Sequence, residues 1–364
     1  FRSLNAFNGG VTLNTTGGQI TANTLSVTAK DASAVNTNVT YFAANITRAG
    51  SGITVTQSGD MVVSGTNIVT NNGDINVTAS GSLTQTGIIN AGTANVALSA
   101  SCAILGTSQI QGNVLTLNAG ATSSIVTAVN ALQGTLSGTA SLSIDEADGL
   151  NIAANGISTA AGDLTIKLAG QLGGLGSINA GRDVVLNSTA GGITLNAAGQ
   201  VRGRVLTVNA AASSNLGTNV ASLAGSLTAG DLTVADADSL NVAAGGVNVA
   251  AGSVTLIAGA AAPGNLGGSG FVNAATTATL TAANGSVTLN ATASQVNADN
   301  LVATSKLDSW LTTNVANLTG NVTAGGLTIV EYDDLAISPD DVTTTGPLSI
   351  QVGGNLTEIG RAHV

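Results

Sequence analysis

The sequence predicts an all-β protein, a parallel β-helix of about sixteen coils. Three observations support this fold class: short alternating strand motifs, a long repeat that occurs four times, and a composition suited to thin layers of small side chains. Gly contributes 48 of 364 residues and Pro only 3, while aromatic residues make up 2%, charged residues 8% and hydrophobic residues 43%. A stack of thin aliphatic layers can bury that hydrophobic content without bulky side chains.

The strand motif alternates an apolar residue with Thr or Asn, which is the period-two signature of a half-buried strand. Examples begin at Val11, Leu115, Ile193, Leu206 and Val287. Gly, Asn and Ala-Gly, which favour turns, separate these motifs. No long segment has apolar residues at helical spacing opposite a charged face. We therefore expect short strands joined by turns.

Two independent landmarks define the long repeat, and both recur at steps of 90, 91 and 95 residues. The first landmark is a glutamine, at Gln19, Gln109, Gln200 and Gln295. The second is a Thr-Asn-Val or Thr-Ala-Val motif, which begins at Thr37, Thr127, Thr218 and Thr313. We therefore predict one β-helix over residues 1–357, with long repeats at approximately 19–108, 109–199, 200–294 and a truncated 295–357.

Comparable strand positions recur every 22 or 23 residues within a repeat, from Leu232 to Val254 and from Ala278 to Leu301. That length suits one coil of three short strands, so about four coils fill one long repeat. With strands ~4.8 Å apart, the four repeats form a rod roughly 75 Å long. One coil cannot bury its apolar face alone, but stacked coils bury a continuous core.

The end of the chain departs from the residue composition of the repeats. Residues Glu358–Val364 read EIGRAHV, which resembles the translation of a short sequencing adapter. We therefore expect residues 358–364 to be a non-native tail that packs against no coil. The single histidine of the chain, His363, lies in this tail.

The charge pattern excludes several classes of partner. The formal net charge is −10, and the 9 Lys and Arg residues are scattered, so the clustered basic footprint that nucleic acid requires is missing. Residues 103–143 carry no charge, but Gln, Asn and Gly interrupt them and their apolar residues alternate, so we predict no transmembrane segment. The single cysteine, Cys102, excludes an internal disulfide, and we expect it to be buried as a small hydrophobe.

The most suggestive polar feature is an acidic cluster that recurs with the long repeat. Aligned on Leu150, Leu240 and Leu335, its six carboxylates form two columns. The first column is Glu146, Asp236 and Glu331, and the second is Asp148, Asp238 and Asp333. These six residues are the candidates for a metal site, because carboxylates one residue apart can hold a hard cation such as calcium.

The first long repeat has Gln57 and Gly59 at the places of these acids, so the cluster does not occur in every repeat. A solvated turn between strands explains the acids equally well. We therefore expect the three aligned leucines to point into the core and the acids to lie outside, at the preceding turn. No other cofactor is predicted.

One segment connects the texture of the chain with a known family. Residues 178–201 read INAGRDVVLNSTAGGITLNAAGQV, and this texture extends over nearly the whole chain. It resembles the repeats of filamentous-haemagglutinin-type exoproteins and related large autotransported adhesins. The resemblance implies a right-handed parallel β-helix, an outer-membrane barrel as export partner, and a place outside a Gram-negative bacterium or attached to its surface. It also implies contact with a host or neighbouring cell surface through glycans or matrix.

We therefore predict a structural and adhesive stalk segment of a large secreted or cell-surface protein, without catalytic residues. The alternative is a β-helix polysaccharide lyase or hydrolase, since many such enzymes share this fold. That chemistry would need carboxylates clustered with basic and aromatic side chains. Near the basic residues we find no acidic partner except Asp183, and the large aromatics stand apart in sequence. The basic residues are Lys167, Arg182, Arg202 and Arg204, and the aromatics are Tyr41, Trp310 and Tyr332.

Overall fold

A computed structural model describes residues 1–14 and 18–358. The protein is all-β, with parallel strands stacked as a β-solenoid of about 17 turns, and the described residues contain no helix. This confirms the predicted fold class, close to the predicted number of coils. No helix in the described part of the chain is long and apolar enough to cross a membrane.

The chain forms two compact units, Phe1–Arg182 and Asp183–Val364. The boundary between them lies inside the second predicted long repeat, 109–199. The first unit contains β1 to β17. In chain order these strands are Arg2–Ala6, Thr12–Leu13, Ile20–Ala29, Ser33–Ile46, Ile53–Gln57, Met61–Thr70, Ile75–Ala79, Leu83–Gln85, Ile89–Asn90, Val96–Ala100, Ile104–Ala119, Ser123–Leu136, Leu142–Glu146, Leu150–Thr159, Leu164–Leu168, Leu172–Gly174 and Ile178–Ala180.

The second unit contains β18 to β34. In chain order these strands are Val184–Ser188, Thr194–Leu195, Val201–Ala210, Ser214–Leu227, Leu232–Asp236, Leu240–Val249, Val254–Ala258, Leu266–Gly268, Val272–Ala274, Thr277–Ala282, Thr288–Leu289, Val296–Ser305, Ser309–Val322, Leu327–Glu331, Leu335–Thr344, Leu348–Val352 and Leu356–Glu358. In each long repeat one strand of 14 residues carries the Thr landmark: β4, β12, β21 and β30.

The register between coils matches the spacing seen in the sequence. In the second unit Leu232 pairs with Val254, Val254 with Ala278, and Ala278 with Leu301, all in parallel. Residues about 22 positions apart are therefore direct neighbours, as predicted.

The core consists of aliphatic columns with one residue for each coil. One column of the first unit is Ile53, Ile75, Val96, Leu115 and Leu132, and each member pairs in register with the next. All five are at most 1% exposed. Burying one such side chain contributes about 1.5–3 kcal/mol. An isolated coil could not bury these residues, whereas stacked coils form one continuous hydrophobic core.

The outer face of the strands carries asparagine ladders. In the second unit the Asn209 side-chain amide donates to Asn187 Oδ1 at 2.7 Å, and the Asn317 amide donates to Asn300 Oδ1 at 3.1 Å. Because parallel coils place like positions in register, one hydrogen-bonding residue type can bond to its neighbour in the next coil.

The predicted tail begins at Glu358, which pairs with Ile337 in the final strand and so continues a coil. The other residues of that tail, 359–364 with His363 among them, lie outside the described residues.

Candidate functional site

The structure divides the two predicted acidic columns. Leu150, Leu240 and Leu335 are at most 1% exposed, which confirms their predicted place in the core. Asp148, Asp238 and Asp333 are exposed, as predicted. The prediction is wrong for the other column, because Glu146 is 1%, Asp236 0% and Glu331 3% exposed.

Strand alternation explains why Glu146 is buried. It follows Leu142 and Ile144 in β13 at intervals of two, and all three side chains point inward. Asp145, one residue earlier, points outward and lies 3.7 Å from Lys167 Nζ. The alternation therefore continues through Glu146, which is the last residue of the strand rather than part of the predicted turn.

Each buried acid receives hydrogen bonds from two directions, as Asp236 shows. Across the coil, the Thr218 hydroxyl donates to Asp236 Oδ2 at 2.6 Å, and the Val220 N–H donates to the same oxygen at 3.0 Å. From its own turn, the Asp238 N–H donates to Asp236 Oδ1 at 3.1 Å. Both carboxyl oxygens are therefore satisfied inside the protein, as a buried charge requires.

Glu331 has the same arrangement in the last repeat. The Thr313 hydroxyl donates to Glu331 Oε2 at 2.8 Å and the Val315 N–H to that oxygen at 3.1 Å. The Tyr332 N–H donates to Glu331 Oε1 at 2.8 Å. The same geometry thus accommodates a glutamate and an aspartate.

Glu146 repeats most of this pattern. It accepts the Val129 N–H at 3.2 Å and the Ala147 N–H at 3.0 Å. Thr127 pairs with Glu146 in register. Its hydroxyl lies close to the carboxyl and partly offsets the rise that burial causes in the pKa of Glu146. Its Oγ1 nevertheless forms no hydrogen bond of normal geometry among the described residues.

The first repeat buries an amide at the corresponding place. The Thr37 hydroxyl donates to Gln57 Oε1 at 2.7 Å, and the Val39 N–H donates to the same atom at 3.2 Å. Gln57 Nε2 donates to the carbonyl oxygens of Val39 and Asp60, both at 2.8 Å. A neutral side chain therefore accepts the same two donors as the acids do.

The Thr landmark and the buried polar residue are two parts of one structural site. All four landmark threonines are 0% exposed, and each pairs in register with the polar residue of the next coil. Sequence reasoning missed this link. The signal was present, because the polar residues at 57, 146, 236 and 331 recur at steps of 89, 90 and 95, close to those of the threonines.

The glutamine landmark also has a structural role in the last repeat. Gln295 is 0% exposed, and its Nε2 donates to the carbonyl oxygens of Gly268 and Gly270 at 2.9 and 2.6 Å. Its Oε1 accepts the Ala291 N–H at 2.7 Å. The role is not uniform, because Gln19 in the first repeat is exposed.

Burial shifts the protonation of two of the acids. Desolvation raises the pKa of Asp236, and the hydrogen bonds from Thr218, Val220 and Asp238 lower it in part. Desolvation likewise raises the pKa of Glu146, and the negative charge of Asp148 raises it further. These carboxyls are therefore harder to ionise in the folded chain than in the unfolded one.

The arrangement of the buried acids is that of a hydrogen-bond acceptor rather than a cation ligand. N–H and O–H donors point their hydrogens at the carboxyl oxygens, whereas calcium needs oxygen lone pairs converging on one point. Among the residues that the structure describes, no three His, Cys, Asp or Glu side chains lie close enough together to hold a metal ion.

The basic residues form surface ion pairs in the coils. Arg204 forms a two-point pair with Asp183, at 2.9 and 2.7 Å. Lys167 pairs with Asp145 and Arg182 with Asp163, each at 3.7 Å, and neither pair was predicted from the sequence. Exposed pairs of this kind contribute about 0–1 kcal/mol to stability.

Two further residues bear on the sequence-based expectations. Arg202 Nε donates to the carbonyl oxygen of Gly199 at 2.9 Å, so its guanidinium supports a turn. Cys102 is exposed, which corrects the prediction of a buried hydrophobe, because it lies in a turn after β10 rather than on an inward strand position.

Comparison with protein-family models, with curated proteins and with solved structures finds no match to this chain.

Proposed function

We propose that this chain is a structural and adhesive stalk segment of a large secreted or cell-surface bacterial protein, and that it is not catalytic. The observation that carries the proposal is that the buried acids accept hydrogen bonds from the protein itself. Glu146, Asp236 and Glu331 accept hydrogen bonds from their own coils, so their oxygens hold turns in place and do not face a substrate. General acid–base chemistry needs a carboxyl within reach of the substrate.

The repeat architecture supports the same proposal. Coils that stack in register can be added without changing the packing of those already present, which suits a segment whose task is length. The texture of residues 178–201, which resembles filamentous-haemagglutinin-type exoproteins, supports a place outside a Gram-negative cell and export through an outer-membrane barrel. Host or neighbouring cell surfaces, their glycans or their matrix are the partners we propose.

A bead assay under flow tests the adhesive role. Beads coated with the chain should stay attached to epithelial monolayers and to bacterial biofilms at shear rates that remove beads coated with albumin. Equal detachment of the two bead types would contradict the adhesive role.

A parallel assay tests the absence of catalysis. The chain is incubated with neutral and uronate-containing polysaccharides, and new reducing ends and unsaturated uronates are measured. We expect no product. Time-dependent product that scales with protein concentration would favour the alternative, a β-helix lyase or hydrolase.

A further inference from the structure

The last repeat carries two large aromatic side chains on the outer face of neighbouring coils. Trp310 lies in β30 and is 50% exposed, and Tyr332 directly follows β31 and is 67% exposed. Trp310 pairs in register with Thr328, four residues before Tyr332. Strand geometry therefore places their Cα atoms roughly 14 Å apart on the outer side of the coils. Coil stacking thus brings two aromatics that are 22 residues apart in sequence onto adjacent coils.

The other long repeats supply an internal control. Counted from the Thr landmark, the position of Trp310 is occupied by Ala34, Ser124 and Asn215. The position of Tyr332, directly after the buried polar residue, is occupied by Ser58, Ala147 and Ala237. Both aromatics therefore occur together in one repeat, at positions where the solenoid itself needs only small side chains.

Two shallow grooves flank these rings. The first has a volume of about 470 Å³ and is lined by Thr288, Asp308, Trp310, Thr328 and Pro347 among others. The second has a volume of about 500 Å³ and is lined by Thr312, Val330 and Tyr332 among others. Hydroxyl-bearing threonines thus lie between two apolar rings along one face.

Asp308 adds a directed acceptor beside Trp310. Its Oδ1 accepts the Gly326 N–H at 2.7 Å, which holds the carboxyl in place. Among the described residues no donor reaches its Oδ2 within hydrogen-bond distance, so that oxygen is available to a ligand. Asp308 is exposed, and the other repeats have Ala32, Thr122 and Ser213 there.

We propose that the face formed by Asp308, Trp310, Thr328 and Tyr332 binds a neutral oligosaccharide. Aromatic rings offer a flat apolar surface to the C–H face of a sugar ring, and a few fixed polar groups between them can bond to its hydroxyls. The spacing of the two Cα atoms suits a short oligosaccharide that stacks on one aromatic ring at each end. This inference rests on the proposed adhesive role and names the ligand class and the site.

The local charge selects a neutral glycan. Asp308, Asp333 and Asp334 place three carboxylates at the two turns that border the face, against one cation, Lys306. A uronate or sulfated chain would be repelled by this excess. An anionic membrane surface is disfavoured for the same reason.

The single tryptophan of the chain makes the test direct, because fluorescence excited at wavelengths that tyrosine does not absorb reports on Trp310 alone. Cellohexaose, laminarihexaose, maltohexaose and, as the acidic counterpart, hexagalacturonate are each titrated to millimolar concentration. We expect at least one neutral hexaose to change the emission of Trp310 in a saturable way, and hexagalacturonate to have no effect. No response to any neutral hexaose, or an equal response to the acidic one, would overturn the proposal.

Calorimetry on variants locates the site. Tyr332→Ala should weaken binding by about three- to tenfold, and Trp310→Ala by more, whereas Trp310→Phe should retain most of it. Tyr41→Ala is the matched control, because Tyr41 is an exposed aromatic of the first repeat, and it should bind like the parent chain. Equal losses in Tyr41→Ala and Tyr332→Ala would contradict the site.

These results separate the site from the proposed function. Binding of a neutral hexaose together with its cleavage would retain the ligand class and contradict the non-catalytic stalk. Binding without bead retention under flow would retain the site and contradict the adhesive role.

Discussion

At the same place in the coil, the first long repeat buries the amide of Gln57 and the second buries the carboxyl of Glu146. The Thr-Asn-Val or Thr-Ala-Val strand faces the side chain in both repeats, and the valine N–H donates to it at 3.2 Å in each. The turns that follow differ. Carbonyl oxygens of Ser58 and Asp60 face the amide at 3.1 and 2.8 Å, whereas the N–H groups of Ala147 and Asp148 face the carboxyl at 3.0 and 3.4 Å.

Gly59 explains how the two turns can differ. Its φ is 85°, a left-handed conformation that residues with a Cβ rarely adopt, and the aligned residue in the second repeat is Asp148. The turn with glycine presents acceptors to a donor, and the turn with aspartate presents donors to an acceptor. The side chain and the backbone of its turn therefore match as a pair.

The largest expected effect comes from removing a buried carboxyl altogether. Asp236→Ala leaves the Thr218 hydroxyl and the N–H groups of Val220 and Asp238 without their acceptor, so the free energy of unfolding should fall by about 3–5 kcal/mol. Asp238→Ala, at the exposed acid two residues later, should change it by less than about 0.5 kcal/mol. Urea unfolding at pH 7 measures both variants, and similar losses would refute a special role for the buried acid.

The next largest effect should come from replacing the buried amide by a carboxyl while the turn that follows it stays unchanged. Gln57→Glu places a carboxylate oxygen against the carbonyl oxygens of Val39 and Asp60, which should cost about 2–4 kcal/mol at pH 7. The loss should shrink at low pH, because a protonated carboxyl can donate a hydrogen bond. Thermal unfolding at pH 4 and pH 7 tests this, and a loss that does not depend on pH would contradict it.

A double variant sharpens the comparison further. Gly59→Asp should destabilise the parent chain by about 1 kcal/mol through its left-handed φ. If side chain and turn match as a pair, the double variant Gln57→Glu with Gly59→Asp should lose less free energy of unfolding than the sum of the losses in the two single variants. Strict additivity in this double-mutant cycle would show that the turn does not adapt to the carboxyl.

The reverse exchange should have a smaller effect. In Glu146→Gln one oxygen that accepts N–H groups becomes an NH₂ group, so about 1–2 kcal/mol of stability should be lost at pH 7. The valine N–H keeps its acceptor through the remaining oxygen. Chemical unfolding beside Asp145→Asn, a change at the outward acid one residue earlier, provides the control. A loss as large as that expected for Asp236→Ala would contradict this ranking.

The smallest effect is a dependence of stability on pH. The pKa of Glu146 is raised above its ordinary value of 4.5 and that of Asp236 above 3.8, so the folded chain holds these protons more tightly than the unfolded chain. Their contribution to stability is therefore fully present below those ordinary values and is lost as the pH rises through the raised pKa values. Melting temperatures between pH 3 and pH 7 should show a shallower fall in Glu146→Gln than in the parent chain. An unchanged slope would contradict the assignment to Glu146.

Several features of the fold could be predicted because they depend on local patterns. Alternation predicted the strands, the spacing of Leu232 and Val254 predicted their pairing, and the two landmarks predicted repeating coils. The same alternation would have placed Glu146 inside had it been continued through the acid. The expectation that charged residues lie outside overrode it, yet a carboxyl that receives several hydrogen bonds can be buried.

The sequence by itself determined the stacked parallel coils, since period-two apolar residues and a repeat of fixed length can bury their faces in few other ways. Only the tertiary structure decided which polar atoms meet. Thr218 and Asp236 are 18 residues apart, so the conformation of the chain between them determines whether their side chains meet. That conformation includes left-handed turns such as the one at Gly59, which form together with the contacts between adjacent coils.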